Sequence, residues 1–134
     1  MNINELISIA DDMRNKAHAP YSGYTVGAAL ISKDGRIFTG CNVENASYGA
    51  AMCAERTAFF KAVSEGATEF SAIAIAGGRA GMPCKSAYPC GICRQVMAEF
   101  CGDDFWIYIK NGENTEIYTL KELLPHAFSP DNLK

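Results

Sequence analysis

The chain has 134 residues, is 49% hydrophobic and 20% charged, and carries a formal net charge of −3. These totals fit one compact globular domain over residues 1–134, which should bury about two-thirds of its unfolded surface and needs no disulfides to hold a core. They argue against a protein that tracks phosphate backbones, because Lys and Arg never cluster, and no apolar run reaches membrane-spanning length.

The elements follow in order. Residues 3–17 place Ile3, Leu6, Ile7, Ala10, Met13, Arg14 and Ala17 on one side and charges on the other, the pattern of an amphipathic helix. The same N-terminal stretch has no apolar core of a secretory signal, so a cytoplasmic protein is expected, with its six cysteines reduced or bound to metal. Pro20 and Gly23 break the helix. "TVGAALISKDGRIFTGCNV" is two strand-like runs joined at Asp34-Gly35, a hairpin. Residues 44–51 read as an irregular connection. "CAERTAFFKAVSEG" predicts a helix stopped by Gly66. "FSAIAIAGG" is almost wholly apolar, as a strand covered on both faces would be. Residues 77–89 form a loop. "CGICRQVMAEFC" predicts a helix closed by Gly102, "FWIYIKN" another buried strand, "NGENTEIYTL" an edge strand, and "LKELLP" a helical turn. Helix, hairpin, helix, strand, helix, strand implies an α/β domain: a mixed sheet with helices on both faces.

Two short stretches carry the chemistry. "AMCAERTAFF" puts Cys53, Glu55 and Arg56 at the start of one helix. "YPCGICRQV" puts Cys90 and Cys93 on one face at the start of the next. Free N–H groups and the helix dipole favour thiolates at both places. Three thiolates meeting there would bind Zn²⁺ tetrahedrally with the fourth position open, as catalytic zinc sites do. Glu55, in a first turn, could then lie beside the metal without ligating it and carry a proton from bound water. Three thiolates leave a divalent ion with a net negative charge. Arg56, three residues after Cys53, could reach back to that sulfur and draw charge off it.

Each part has a plainer reading. Single cysteines are more often core than ligands, and Cys41, Cys84 and Cys101 are read so. Cys90 and Cys93 alone could be a redox pair. A lone glutamate in a first turn is usually a dipole partner. A purely structural zinc would need a fourth protein ligand, yet the two histidines, His18 and His126, sit in no ligand motif and read as surface residues.

The conjunction of C-A-E with P-C-x-x-C matches the zinc deaminase signature. Together with "VGAAL", "GCNVENASYGAAMCAERTAFFKAVSEG", "PCGICRQVMAEF" and "LLPHAF", it makes nearly the whole chain resemble the small cytidine deaminases of pyrimidine salvage. The resemblance implies a three-layer domain with a five-stranded mixed sheet flanked by helices. It implies a homotetramer with active sites at subunit interfaces, and one Zn²⁺ per subunit held by Cys53, Cys90 and Cys93. Glu55 is implied as the proton shuttle for attack of zinc-activated water on C4 of cytidine or deoxycytidine, with release of ammonia. Asn42 and Glu44 would clamp the ribose, the backbone near Ala54 would meet the pyrimidine amide edge, and Phe128 would stack on the base. Tyr24 stands where the family usually has phenylalanine, and Tyr48 would reach a neighbouring subunit's site. The loop before Pro89 is longer than usual and carries Cys84 and Lys85.

Among related chemistries, a blasticidin-type deaminase shares both zinc motifs, but "NVEN" favours an ordinary nucleoside. A polynucleotide deaminase would need a basic track that the sequence lacks. The expected partner is therefore a small nucleoside, not nucleic acid or a membrane.

Overall fold

A computed structural model describes residues 1–134. Its regular elements are α1 (Ile3–Met13), β1 (Tyr24–Ser32), β2 (Ile37–Cys41), α2 (Ala54–Ser64), β3 (Phe70–Arg79), α3 (Gly91–Phe100), β4 (Trp106–Asn111), β5 (Asn114–Thr119) and α4 (Leu120–Leu123). The strands form one sheet in the order β2-β1-β3-β4-β5. β3 and β4 are parallel, with α3 crossing between them, and every other pair is antiparallel. This is the mixed five-stranded sheet with helices on both faces that the sequence implied.

Strand alternation splits the interior into two layers. On one face α1 lays Leu6, Ile7 and Ala10 against Ala29, Ala72, Ala74 and Ala76. On the other, α2 and α3 cover Leu30, Ile73, Ile75, Ile107 and Ile109. Phe59 is the hub of that second layer, with the rings of Phe70, Phe100 and Phe105 around it. Truncating so buried a ring typically costs about 3–5 kcal/mol. β3 is covered on both sides along most of its length, as its unbroken apolar run predicts.

The turns follow their residues. Gly35 adopts φ +90° at the tip of the β1–β2 hairpin, a conformation that a side chain would strain. Gly40 matters for a different reason. A Cβ there would lie 2.3 Å from the Ala54 carbonyl oxygen and 2.7 Å from the Ala58 nitrogen. Only the missing side chain lets the first turn of α2 rest directly on β2.

Five expectations need adjusting. α1 ends at Met13, short of Ala17, and a 3₁₀ turn follows. The backbone tightens there, with the Arg14 N–H bonding back to the Asp11 carbonyl, while the Arg14 side chain reaches the carbonyls of Arg79 and Met82 at 3.0 and 2.9 Å and Thr25 Oγ1 at 3.2 Å. β3 continues through Gly77 and Gly78 to Arg79, because β1 offers it a ladder that far. α3 ends with Cys101 in an extended conformation, so Gly102 does not supply a left-handed stop. β4 alternates between buried and accessible residues, and Trp106 is exposed. Of the three cysteines read as core, Cys84 is buried, whereas Cys41 and Cys101 are half-buried.

Candidate functional site

Both cysteine motifs open helices as expected. Cys53 is the N-cap of α2 and Cys90 the N-cap of α3, each in extended backbone and with no side-chain capping bond. Their sulfurs are thus free to turn toward each other, and Cys93 joins them from the first turn of α3. The three Sγ atoms all lie within 4.8 Å of one another. Cys53 and Cys90 are 3.9 Å apart. A tetrahedral ion with Zn–S bonds of about 2.3 Å would separate its sulfurs by about 3.8 Å. Three soft donors at that spacing fit zinc. No His, Asp, Glu or further Cys completes the group, so the closed structural site weighed above lacks its fourth ligand.

The electrostatics turn on Glu55 and Arg56. Glu55 is only 5% exposed. Burial pushes its carboxyl up to about 7; its own backbone N–H opposes that rise, and the neighbouring Cys53 charge adds to it. Cys53 moves the other way, down to about 5, chiefly through the Cys93 thiol, with help from Arg56 and Cys90. Cys93, sharing that hydrogen bond and buried, is pushed up. Arg56 Nη2 donates to Cys53 Sγ at 3.4 Å, while its Nε is buried without a partner.

The cluster opens onto a cleft of about 590 Å³. Tyr24, Asn42, Glu44, Tyr48, Ala54, Glu55 and Arg56 all line it, with Cys53 and Cys90. Asn42 is locked to β1: its Oδ1 accepts from Val26 N and its Nδ2 donates to the Tyr24 carbonyl, both at 2.8 Å. Glu44 accepts from the backbone N–H groups of Tyr21 and Ser22 and from the Ser22 hydroxyl at 2.5 Å. These bonds hold its carboxyl below the usual carboxylate range, the Ser22 hydroxyl most of all. Phe128 does not line this cleft. It is 58% exposed, and its carbonyl accepts from Gln95 Nε2. Cys84 lies on the α1 side of the sheet, 3.2 Å from both Asp11 Oδ1 and Arg14 Nη1, outside the sulfur cluster.

The family model for the cytidine and deoxycytidylate deaminase zinc-binding region matches residues 1–109. The chain belongs to this deaminase family. A cytidine deaminase of Halalkalibacterium halodurans is 48% identical over 136 aligned residues, covering 99% of this chain and 98% of that one. Another from Sporosarcina psychrophila is 46% identical, covering 99% and 96%. The crystal structure of cytidine deaminase from Burkholderia pseudomallei superposes with a TM-score of 0.87 at 45% identity, over 96% of this chain and all of the other. The deaminase family's zinc thus has a matching set of sulfur donors here. No helix of the deaminase is long and apolar enough to cross a membrane.

The sequence reading missed part of the deaminase cleft. Tyr88 and Ile92, large and exposed, flank Cys90 on its wall, and Val26 and Ala87 line it as well. Position was the available signal for the first two, since each lies two residues from a cysteine of the cluster.

Proposed function

We propose that this deaminase hydrolyses cytidine and deoxycytidine to their uracil nucleosides with release of ammonia, as a cytoplasmic step of pyrimidine salvage. One observation carries the reading: a buried carboxyl, Glu55, beside a three-sulfur cluster in a nucleoside-sized cleft. Cys53, Cys90 and Cys93 hold the zinc, which when bound lowers the pKa of a coordinated water to about 7 and so supplies a nucleophile at neutral pH.

The remaining work belongs to the chain. Glu55 takes the proton of the attacking water and delivers it to ring N3, which makes C4 electrophilic. It then carries a second proton to the departing amine. Arg56 tempers the negative charge of the thiolates. The Ala54 backbone meets the pyrimidine amide edge, and Asn42 and Glu44 receive the ribose. Their existing bonds to β1 and to residues 21–22 fix their orientation before substrate arrives. A carboxylate at that end disfavours a 5′-phosphate by repulsion. Tyr24 adds an aromatic wall.

We place Tyr48 and Phe128 at contacts between four copies of the chain, where each helps to complete a site. Their rings are 77% and 58% exposed here, an arrangement that favours burial against another surface. Purified zinc-loaded protein should consume cytidine and deoxycytidine, followed by ultraviolet absorbance, and leave 5′-CMP and blasticidin S nearly untouched. Turnover of blasticidin S or CMP ahead of cytidine overturns the substrate assignment, and a monomer by light scattering overturns the tetramer.

A further inference from the structure

The wall of the cleft that leads into Cys90 is held in an unusual way. From Ser86 to Pro89 the chain forms no backbone–backbone hydrogen bonds; the preceding ones are at Cys84 and Lys85, and the next starts at Cys90. Side chains do the holding instead. Arg94 Nε donates to the Pro89 carbonyl at 2.7 Å. At the other end three hydroxyls converge on one carboxylate of β5, the outermost strand. Tyr88 Oη donates to Glu116 Oε1 at 2.7 Å, Tyr118 Oη donates to the same oxygen at 2.5 Å, and Ser86 Oγ donates to Oε2. The Tyr88 and Tyr118 rings meet edge to face at 6.2 Å. Glu116 takes part in no ion pair. Its bonds all go to hydroxyls, two of them from the unladdered segment, and charge-assisted bonds of this kind are about twice as strong as neutral ones.

Tyr88 is where this clasp reaches the chemistry. Its ring is half exposed, lines the cleft, and stands two residues before Cys90. We infer that Glu116, outside the cleft, is a positioning residue that fixes Tyr88 as the cleft wall against the nucleoside, so that the pair sets substrate affinity. The inference rests on the nucleoside reading of the cleft. It concerns binding: the Tyr88 hydroxyl is turned to Glu116, which leaves the ring, and no proton-bearing group, to face the substrate. The expected signature is therefore in KM, with kcat governed elsewhere.

The test is steady-state kinetics on cytidine with zinc-loaded wild type, Tyr88→Phe, Glu116→Leu and the double variant, with zinc content measured on each. Each single change removes the Tyr88–Glu116 bond and should raise KM about 3- to 10-fold, the range expected for one lost hydrogen bond. Both should keep zinc and leave kcat within about twofold of wild type. Because the two residues act on the cleft through that shared bond, the double variant should be no worse than the poorer single. If Glu116→Leu fails to fold, Tyr88→Phe still decides. An active wild type whose variants share its KM, or a double variant whose KM rises by the product of the singles, overturns this inference and leaves the deaminase reading intact. A wild type with no cytidine turnover overturns that reading, and this inference with it.

Discussion

The guanidinium of Arg56 lies 3.4 Å from the Cys53 sulfur, close enough to donate to it from the same helical turn. A thiolate that gives part of its charge to an arginine is a weaker donor to a metal, and the metal in turn stays more acidic. Arg56→Ala should therefore lower turnover by about 10- to 100-fold, as loss of a partner behind a metal ligand commonly does, while zinc, facing a fuller thiolate, is held at least as firmly. Zinc retention during chelator dialysis, beside kcat, checks this. Unchanged turnover would remove Arg56 from the role.

Glu55→Gln separates proton transfer from architecture. The amide keeps the shape of the side chain and needs no charge in a site that already disfavours one. Zinc content and thermal midpoint should hold or rise slightly, while kcat falls by about 10²- to 10⁴-fold, the usual share of a general acid–base group. Near-normal turnover would show that another group moves the protons.

The ligand set is tested from outside. Cys84 bonds to Asp11 and Arg14 across the sheet from the cluster. Cys84→Ser preserves a donor and acceptor there, so it should keep full zinc and activity at a stability loss of about 1 kcal/mol. Cys90→Ser should lose the metal. Metal analysis of the two variants side by side decides, and a zinc-free Cys84→Ser protein would overturn the assignment.

Glu44 makes a prediction about acid. Its carboxyl is held below the usual range by the Ser22 hydroxyl, then by the N–H groups of Ser22 and Tyr21, with His18 attracting from nearby. The unfolded chain therefore takes up this proton more readily than the folded one. The stabilisation is complete above the ordinary carboxylate range and drains away as pH falls from there through the lowered value. The thermal midpoint should drop across that window in wild type and drop less in Glu44→Gln. Parallel curves would contradict it.

Most of the scaffold is legible in local pattern. Asp34-Gly35 announces the hairpin, the apolar run of β3 announces its double coverage, and Cys53 and Cys90 sit at the helix starts where the sequence put them. What escaped was decided by distant partners. Nothing near Arg14 in sequence says that its side chain will tie α1 to carbonyls at 79 and 82. Nothing near Tyr88 names Glu116, because the two meet only once β5 has paired with β4. The cysteine cluster itself was readable through a family resemblance. Spacing alone left a redox pair and a closed zinc knot standing; a third sulfur beside the pair, together with the zinc-binding family match, favours the open metal site.

Gly40 gives the deaminase its anvil. With no side chain between β2 and the first turn of α2, the Ala54 carbonyl, in the peptide that leads into Glu55, bears directly on a strand. The reacting groups inherit the stiffness of the sheet, and no hinge separates scaffold from chemistry. Any give in the cleft must then come from the opposite jaw at the segment bearing Tyr48, since Glu116 clasps the one bearing Tyr88.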